Sequence, residues 1–270
     1  MHLRLKRVNE LKLLLSFLFI IGSEVAMADE IIFKDSSGQV LTKSDLNGFS
    51  GTASWEVLSE QTVSQEARDL HNAGREFGQK GDYANAIKNF ELASEIDLKW
   101  AYPVYDLAYT YLLMGEQEKS HEYYLKVDSM EPRGFFTSKA AVYSLNGEND
   151  GVFPQGLYQF YLTVEWMDSA KKIQTLQLIS KKYPKFAPVW KDLISFAADD
   201  KAALAFIDNG LAAEPDIDTY GILKVNKALI LHRSDKSNEA IKILGELALN
   251  PNSSIATEKI AKQTLFNLLN

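Results

Sequence analysis

The sequence contains no cysteine among its 270 residues. Disulfide-stapled scaffolds, thiolate zinc sites, cysteine nucleophiles and lipid attachment to cysteine are therefore excluded. Proline and glycine are also scarce, with 7 and 15 residues, so the chain is not rich in linkers. With 46% hydrophobic and 24% charged residues, the composition is typical of a globular protein of one large domain or two small ones.

Basic residues are in the minority, because 29 Lys+Arg against 36 Asp+Glu give a formal net charge of −7. An acidic chain is poorly suited to nucleic acid or an anionic membrane surface as its main partner. We therefore expect no nucleic-acid partner. Catalytic patterns are missing as well: the histidines after residue 28 are His71, His121 and His232, and none has metal-ligand spacing. We expect no enzyme, no metal and no cofactor.

The first 28 residues have the pattern of a secretory signal. Arg4, Lys6, Arg7 and Lys12 precede an apolar run over 13–22, and Ala26-Met27-Ala28 forms a small-x-small cleavage site. The run is about half the roughly 20 residues that a membrane-spanning helix needs. We expect Sec export, cleavage after Ala28, a periplasmic or secreted protein, and no integral membrane span after cleavage. An uncleaved amphipathic N-terminus is the alternative.

An internal match with a period of 34 residues runs through 67–134. It pairs Gly74 with Ala108, Phe77 with Tyr111, and Phe90 with Tyr124, and it keeps the type of each residue. Self-similarity at this period predicts stacked helical hairpins. Small residues would let two helices approach closely while the aromatic rings fill the space beside them. The residues predicted to pack the hairpins are Leu70, Gly74, Phe77, Ala86, Phe90, Ala93, Ala108, Tyr111, Tyr124 and Pro132.

These residues resemble the tetratricopeptide repeat family over two units, 67–100 and 101–134. The sequence departs from the family pattern at Leu98, where proline is usual, and at Gln117, where the first unit has the more usual Tyr83. The resemblance implies a mainly α fold, a right-handed α-α superhelix that forms a solenoid. It also implies a non-enzymatic protein-protein interaction module whose first helices line a concave groove.

The remaining chain divides by pattern into three further parts. Alternating residues over 29–64 predict an N-terminal β-strand arm, with a hairpin turn at 35–38 and Trp55 docking on the first helices. Polar residues and glycines predict a connecting loop region over 135–155. Residues 156–270 are expected to form degenerate repeat-like hairpins and a C-terminal capping helix. The spacing of Gly-Phe-Phe, Phe-Pro-x-Gly and Phe-Ala-Pro-Val-Trp resembles that of exported bacterial repeat proteins, which implies no activity.

Residues off the packed stripe of the first helices are the candidate partner-binding groove. Arginine beside tyrosines is the composition of a binding hot spot. The candidate residues are His71, Asn72, Arg75, Tyr102, Tyr105, Asp106 and Tyr109. We expect them to bind a peptide segment of another protein, although the tyrosines would also suit packing against the arm or the next repeat. Two alternatives stay open: a periplasmic toxin-neutralising, immunity-type protein, and a cell-wall or carbohydrate-binding protein that stacks sugars on Trp166, Trp190 and tyrosines.

Overall fold

The structure is a computed structural model that describes residues 30–34, 40–41, 54–58 and 63–269, with side chains from 63 to 268. The predicted signal segment, the predicted turn at 35–38 and the side chain of Trp55 lie outside the described residues. Three strands are β1 Glu30–Lys34, β2 Val40–Leu41 and β3 Ser54–Leu58, in the order β2-β1-β3 with antiparallel pairing. A strand arm that docks on the helices stays a prediction.

Within residues 63–269 the chain forms twelve α-helices, which confirms the mainly α expectation. The helices are α1 Gln65–Gln79, α2 Tyr83–Ile96, α3 Ala101–Leu113, α4 Gln117–Met130, α5 Ser138–Asn149, α6 Leu157–Leu162, α7 Ser169–Lys182, α8 Ala187–Leu193, α9 Asp200–Ala212, α10 Ile217–Arg233, α11 Ser237–Leu249 and α12 Ile255–Leu269. Short 3-10 turns follow α6 and α8. Among the described helices, none is both long enough and apolar enough to cross a membrane.

The turns between α1 and α2 and between α3 and α4 have the same construction. Gly81 and Gly115 both have φ +77°, a left-handed conformation that glycine adopts without strain. The following amide nitrogens, of Asp82 and Glu116, bond back to the carbonyls of Phe77 and Tyr111. Asp82 then caps α2, because its side chain accepts a hydrogen bond from the amide of Asn85. The 34-residue period therefore reproduces one turn geometry twice.

The helices of the first hairpin approach closely at Gly74. A Cβ atom there would lie 2.5 Å from a ring carbon of Phe90, so only glycine fits. Ala86 and Ala93 on α2 are fully buried, and Phe90 is 2% exposed. Of the predicted packing residues, Pro132 is the exception because it is exposed. It follows the end of α4, where the chain turns away, and Phe135 takes the buried position next to it.

The predicted connecting loop over 135–155 is wrong, because most of it is the helix α5. Ala141 and Leu145 are buried at helical spacing in the largest core cluster. The glycine in the Asn-Gly-Glu-Asn run serves packing rather than a turn: a Cβ atom on Gly147 would overlap the ring of Phe153. Buried Glu148 accepts hydrogen bonds from the backbone amides of Gly156 and Tyr158, at 2.8 and 2.7 Å. It thereby fixes the start of α6.

The C-terminal hairpins pack back on the segment that follows the second repeat. Arg133 pairs with Glu258 and donates from Nε to the carbonyl of Ser253 at 3.0 Å, while its own carbonyl accepts from the amide of Ile255. Helix α10 also contacts α5. In an open solenoid each repeat contacts its sequence neighbours. Here residues 120 or more positions apart are joined, so the C-terminal helices return to the end of the second repeat.

Adding a methyl group at the closest helix contact tests this account of the hairpin. Gly74→Ala should lower the free energy of unfolding by about 1–3 kcal/mol, because the ring of Phe90 must shift. The matched control is Gly245→Ala in α11, where a Cβ atom would meet nothing within 4 Å. That change should stabilise by about 0.5–1 kcal/mol, because alanine favours a helix over glycine. Urea unfolding measures both, and equal effects would contradict the account.

Candidate functional site

An ion-pair cluster joins the first helices of the two repeats. His71 on α1 lies with Nε2 2.8 Å from Oδ2 of Asp106 on α3. One turn further along α1, Nε of Arg75 lies 3.2 Å from the same oxygen. Residues i and i+4 lie on one face of a helix, so α1 presents both bases to a single carboxylate. The cluster holds α1 and α3 in register.

The inner half of this cluster is enclosed by aromatic rings. The ring centroid of His71 lies 4.9 Å from that of Trp100, 5.3 Å from Tyr102 and 5.6 Å from Phe90. His71 is 5% exposed and Asp106 is 9% exposed. A buried carboxylate is costly unless it is paired, and here two basic side chains share it. The prediction that His71 and Asp106 line an open groove is corrected: they lie beneath the surface and position Arg75.

Arg75 is the exposed member of the cluster, with 52% of its side chain accessible. Its guanidinium carbon lies 5.7 Å from the ring centroid of Tyr102, a cation–π contact. A guanidinium has five N–H donors, and Asp106 engages the one on Nε. Fixed from below by Asp106 and from the side by Tyr102, Arg75 keeps donors for a ligand at the surface.

Tyr105 is half-buried, and much of its ring is engaged in packing. Its ring packs against Tyr124, Phe135 and Phe136, and its hydroxyl is 2.8 Å from Oγ1 of Thr137. Burial is the main cause that raises the pKa of Tyr105 to about 12. A partner contact at Tyr105 stays a prediction; in the structure its ring packs against the segment that begins the third helical unit.

The accessible part of the predicted groove is smaller than the sequence suggests. Asn72 and Arg75 are exposed, while Tyr102 and Tyr109 are half-buried. Burial, followed by the nearby carboxylate of Glu165, raises the pKa of Tyr109. We call these four residues the α1–α3 face. It offers one fixed guanidinium, one amide and two aromatic edges, which together suit contacts to polar backbone and side-chain groups.

Sequence reasoning misses the aromatic segment at 135–137, which falls in the predicted loop region. Phe135 is 4% exposed, and Tyr102 meets Phe135 and Phe136 at ring-centroid distances of 5.3 and 5.0 Å. Phe136 has φ +47°, a strained conformation for a bulky side chain, held in place by these rings. Two adjacent phenylalanines directly after a repeat are a signal of packing that could have found this segment.

The described residues hold no cluster suited to a metal. Between residues 63 and 269, no group of three or more His, Asp or Glu side chains is arranged to bind an ion. Chemically, the α1–α3 face offers hydrogen-bond donors and aromatic edges.

The two repeats match a known protein family. The family model of the tetratricopeptide repeat matches residues 70–99 and 103–133. No curated protein matches the chain. Among solved structures, a thermophilic tetratricopeptide repeat protein of Thermus thermophilus is similar over 75% of this chain and 98% of that chain, with 14% identity and a TM-score of 0.31.

Removing the charge of Asp106 tests whether the buried pair holds the two repeats together. Asp106→Asn should lower the free energy of unfolding by roughly 1.5–3 kcal/mol, the range for hydrogen bonds to charged groups. The control, Arg75→Ala, should cost at most about 1 kcal/mol, because that side chain is half exposed to solvent. Urea unfolding distinguishes them. If Asp106→Asn costs no more than Arg75→Ala, the buried pair is not what joins α1 to α3.

Proposed function

We propose that the chain binds a peptide segment of another protein on the α1–α3 face, because residues 70–99 and 103–133 match the model of the tetratricopeptide repeat. Repeats of this kind form protein-protein interaction scaffolds, and the proposal places the contact on the first helices of the two matched repeats. We also propose that the protein is non-enzymatic and that its hairpins wind as a right-handed superhelix. Stacking of successive hairpins on one another supports the superhelix.

One observation carries the proposal most directly: Arg75 is half exposed yet fixed by two neighbours. A free arginine side chain loses rotamer entropy when it binds, and this cost reduces affinity. Asp106 and Tyr102 have already ordered Arg75, so less entropy is lost on binding. Asn72 lies one turn before Arg75 on the exposed side of α1, where its amide can pair with a peptide backbone.

Export is proposed on the sequence of residues 1–28 alone. The basic start, the short apolar run and the Ala-Met-Ala site support secretion by the Sec route, with a periplasmic or secreted mature protein. The strand arm over 29–64 is proposed to dock on the first helices, with Trp55 as the docking residue.

Affinity capture from a cell-envelope extract tests the proposed face. The chain without residues 1–28 is compared with a double variant, Asn72→Ala with Arg75→Ala, and recovered proteins are identified by mass spectrometry. A partner should be recovered by the unchanged chain and lost with the variant, because both removed side chains are exposed donors. Lys88→Ala is the matched control, since Lys88 is an exposed basic residue of the same repeat but lies on α2, outside the face.

The outcome is interpretable because the variants should fold. Neither Asn72 nor Arg75 is buried, so the melting temperature of the double variant should stay within a few degrees of the unchanged chain. Equal recovery of every captured protein by the unchanged chain and the double variant would refute the assignment. Loss of the partner with Lys88→Ala as well would also refute it, since it would show a general loss of positive charge.

A further inference from the structure

A second candidate surface lies in the C-terminal half of the chain, where α6 and α7 meet. The loop before α6 and the facing sides of these helices form a shallow pocket of about 230 Å³. We call it the α6–α7 pocket, and the residues that matter to the argument are Pro154, Leu157, Phe160, Leu178, Lys182 and Tyr183. Small-molecule sites usually enclose roughly 300–1,000 Å³, so this pocket suits a side chain rather than a metabolite.

The pocket exposes large apolar side chains that are normally kept out of solvent. Phe160 is 46% exposed and Leu178 is 61% exposed, and both line the same depression. Single exposed apolar residues are ordinary, but two that share a concave site form an apolar anchor point. An incoming apolar side chain would remove part of both residues from water.

Lysines lie on both sides of Leu178 along one face of α7. Lys171, Leu178 and Lys182 lie at i, i+7 and i+11 of α7, so they form a single stripe. Between 169 and 185 the chain has five lysines and no acidic residue, although the whole chain carries −7. Within residues 63–269, none of these five lysines forms an ion pair.

The helix dipole does not account for this charge. Cations are favoured in the last turn of a helix, which explains Lys181 and Lys182. Lys171 lies in the first turn of α7, where the dipole disfavours a positive charge, and Lys185 lies beyond the helix. The basic stripe in an acidic protein is therefore complementary to a negatively charged partner.

We propose that the α6–α7 pocket docks an acidic segment of a partner protein that carries a large apolar anchor residue. The anchor enters between Phe160 and Leu178, and neighbouring carboxylates pair with Lys171 and Lys182. A side-chain-sized depression beside lysines favours a peptide over a flat lipid surface. This surface involves α6 and α7 and is separate from the α1–α3 face, so binding here does not depend on Arg75.

Fluorescence anisotropy with a defined probe tests the proposal. The probe is a fluorescein-labelled peptide of aspartate and glutamate with a central Phe-Leu pair, titrated with the chain lacking residues 1–28. Binding should weaken at least about tenfold in Leu178→Ser and in Lys182→Glu, the loss expected for a central contact. It should also weaken with added salt, because the lysines are exposed to solvent.

Matched controls separate local from general effects. Leu249→Ser and Lys242→Glu change an exposed leucine and a lysine on α11, away from the pocket. Both should leave the affinity unchanged. A lysine version of the probe with the same Phe-Leu pair should not bind. Circular dichroism checks that each variant keeps its helical content.

Several results would overturn the proposal. These are no binding of the acidic probe, equal weakening by the α11 controls, or equal binding of the lysine probe. Binding to phosphatidylglycerol vesicles that Leu178→Ser and Lys182→Glu abolish would assign the stripe to lipid instead. Concentration-dependent dimerisation abolished by the same two variants would assign the pocket to a second copy of the chain.

Discussion

The structure depends on how the segment at 133–137 packs between the two repeats and the C-terminal hairpins. On one side, Phe135 and Phe136 fill the space beside Tyr102 and Tyr105 of α3. On the other side, Arg133 donates a hydrogen bond to the carbonyl of Ser253, in the loop before α12. It also forms an ion pair with Glu258 in α12. Five consecutive residues therefore belong to both halves of the molecule.

This double contact explains how the C-terminal hairpins are held against the end of the second repeat. A helical hairpin leaves an apolar face that the next hairpin must cover, and the last unit usually needs a polar cap. Here the C-terminal helices return to the end of the second repeat. Gly134 permits the approach, because it has φ +95° and a Cβ atom there would lie 2.9 Å from Oδ2 of Asp218. Burial raises the pKa of Asp218 to about 6.

The same packing prepares the proposed binding face. Tyr102 touches the segment on one side and Arg75 on the other, and His71 packs beneath both. Contacts that close the fold thus also fix the orientation of Arg75. A protein that orders its binding side chains through its core loses less entropy when a partner arrives.

The sequence predicts the repeats well, because spacing and residue type carry the information. Gly81 and Gly115 form the same turn 34 residues apart. Gly74 and Phe90, which form the close contact of the first hairpin, correspond to Ala108 and Tyr124 in the second. A 34-residue period is therefore enough to predict the two hairpins. It predicts α5 poorly, because Asn146, Gly147 and Asn149 are typical of loops.

Two further features escape prediction for another reason: they depend on tertiary contacts. Whether Gly147 forms a turn or receives the ring of Phe153 is decided by a residue outside its own helix. The burial of His71 and Asp106 and the packing of Tyr105 depend likewise on Trp100 and on the segment after the second repeat. Helical spacing gives the face on which a residue lies, but not what later covers that face.

Hydrogen–deuterium exchange on Gly134→Ala tests the central role of this segment most directly. Its matched control is Gly115→Ala, which has a similar left-handed strain but meets nothing within 4 Å of the added Cβ atom. The account predicts faster exchange in α3, α10 and α12 together for Gly134→Ala, and faster exchange around the α3–α4 turn for Gly115→Ala. Unchanged exchange in α10 and α12 of Gly134→Ala would contradict it.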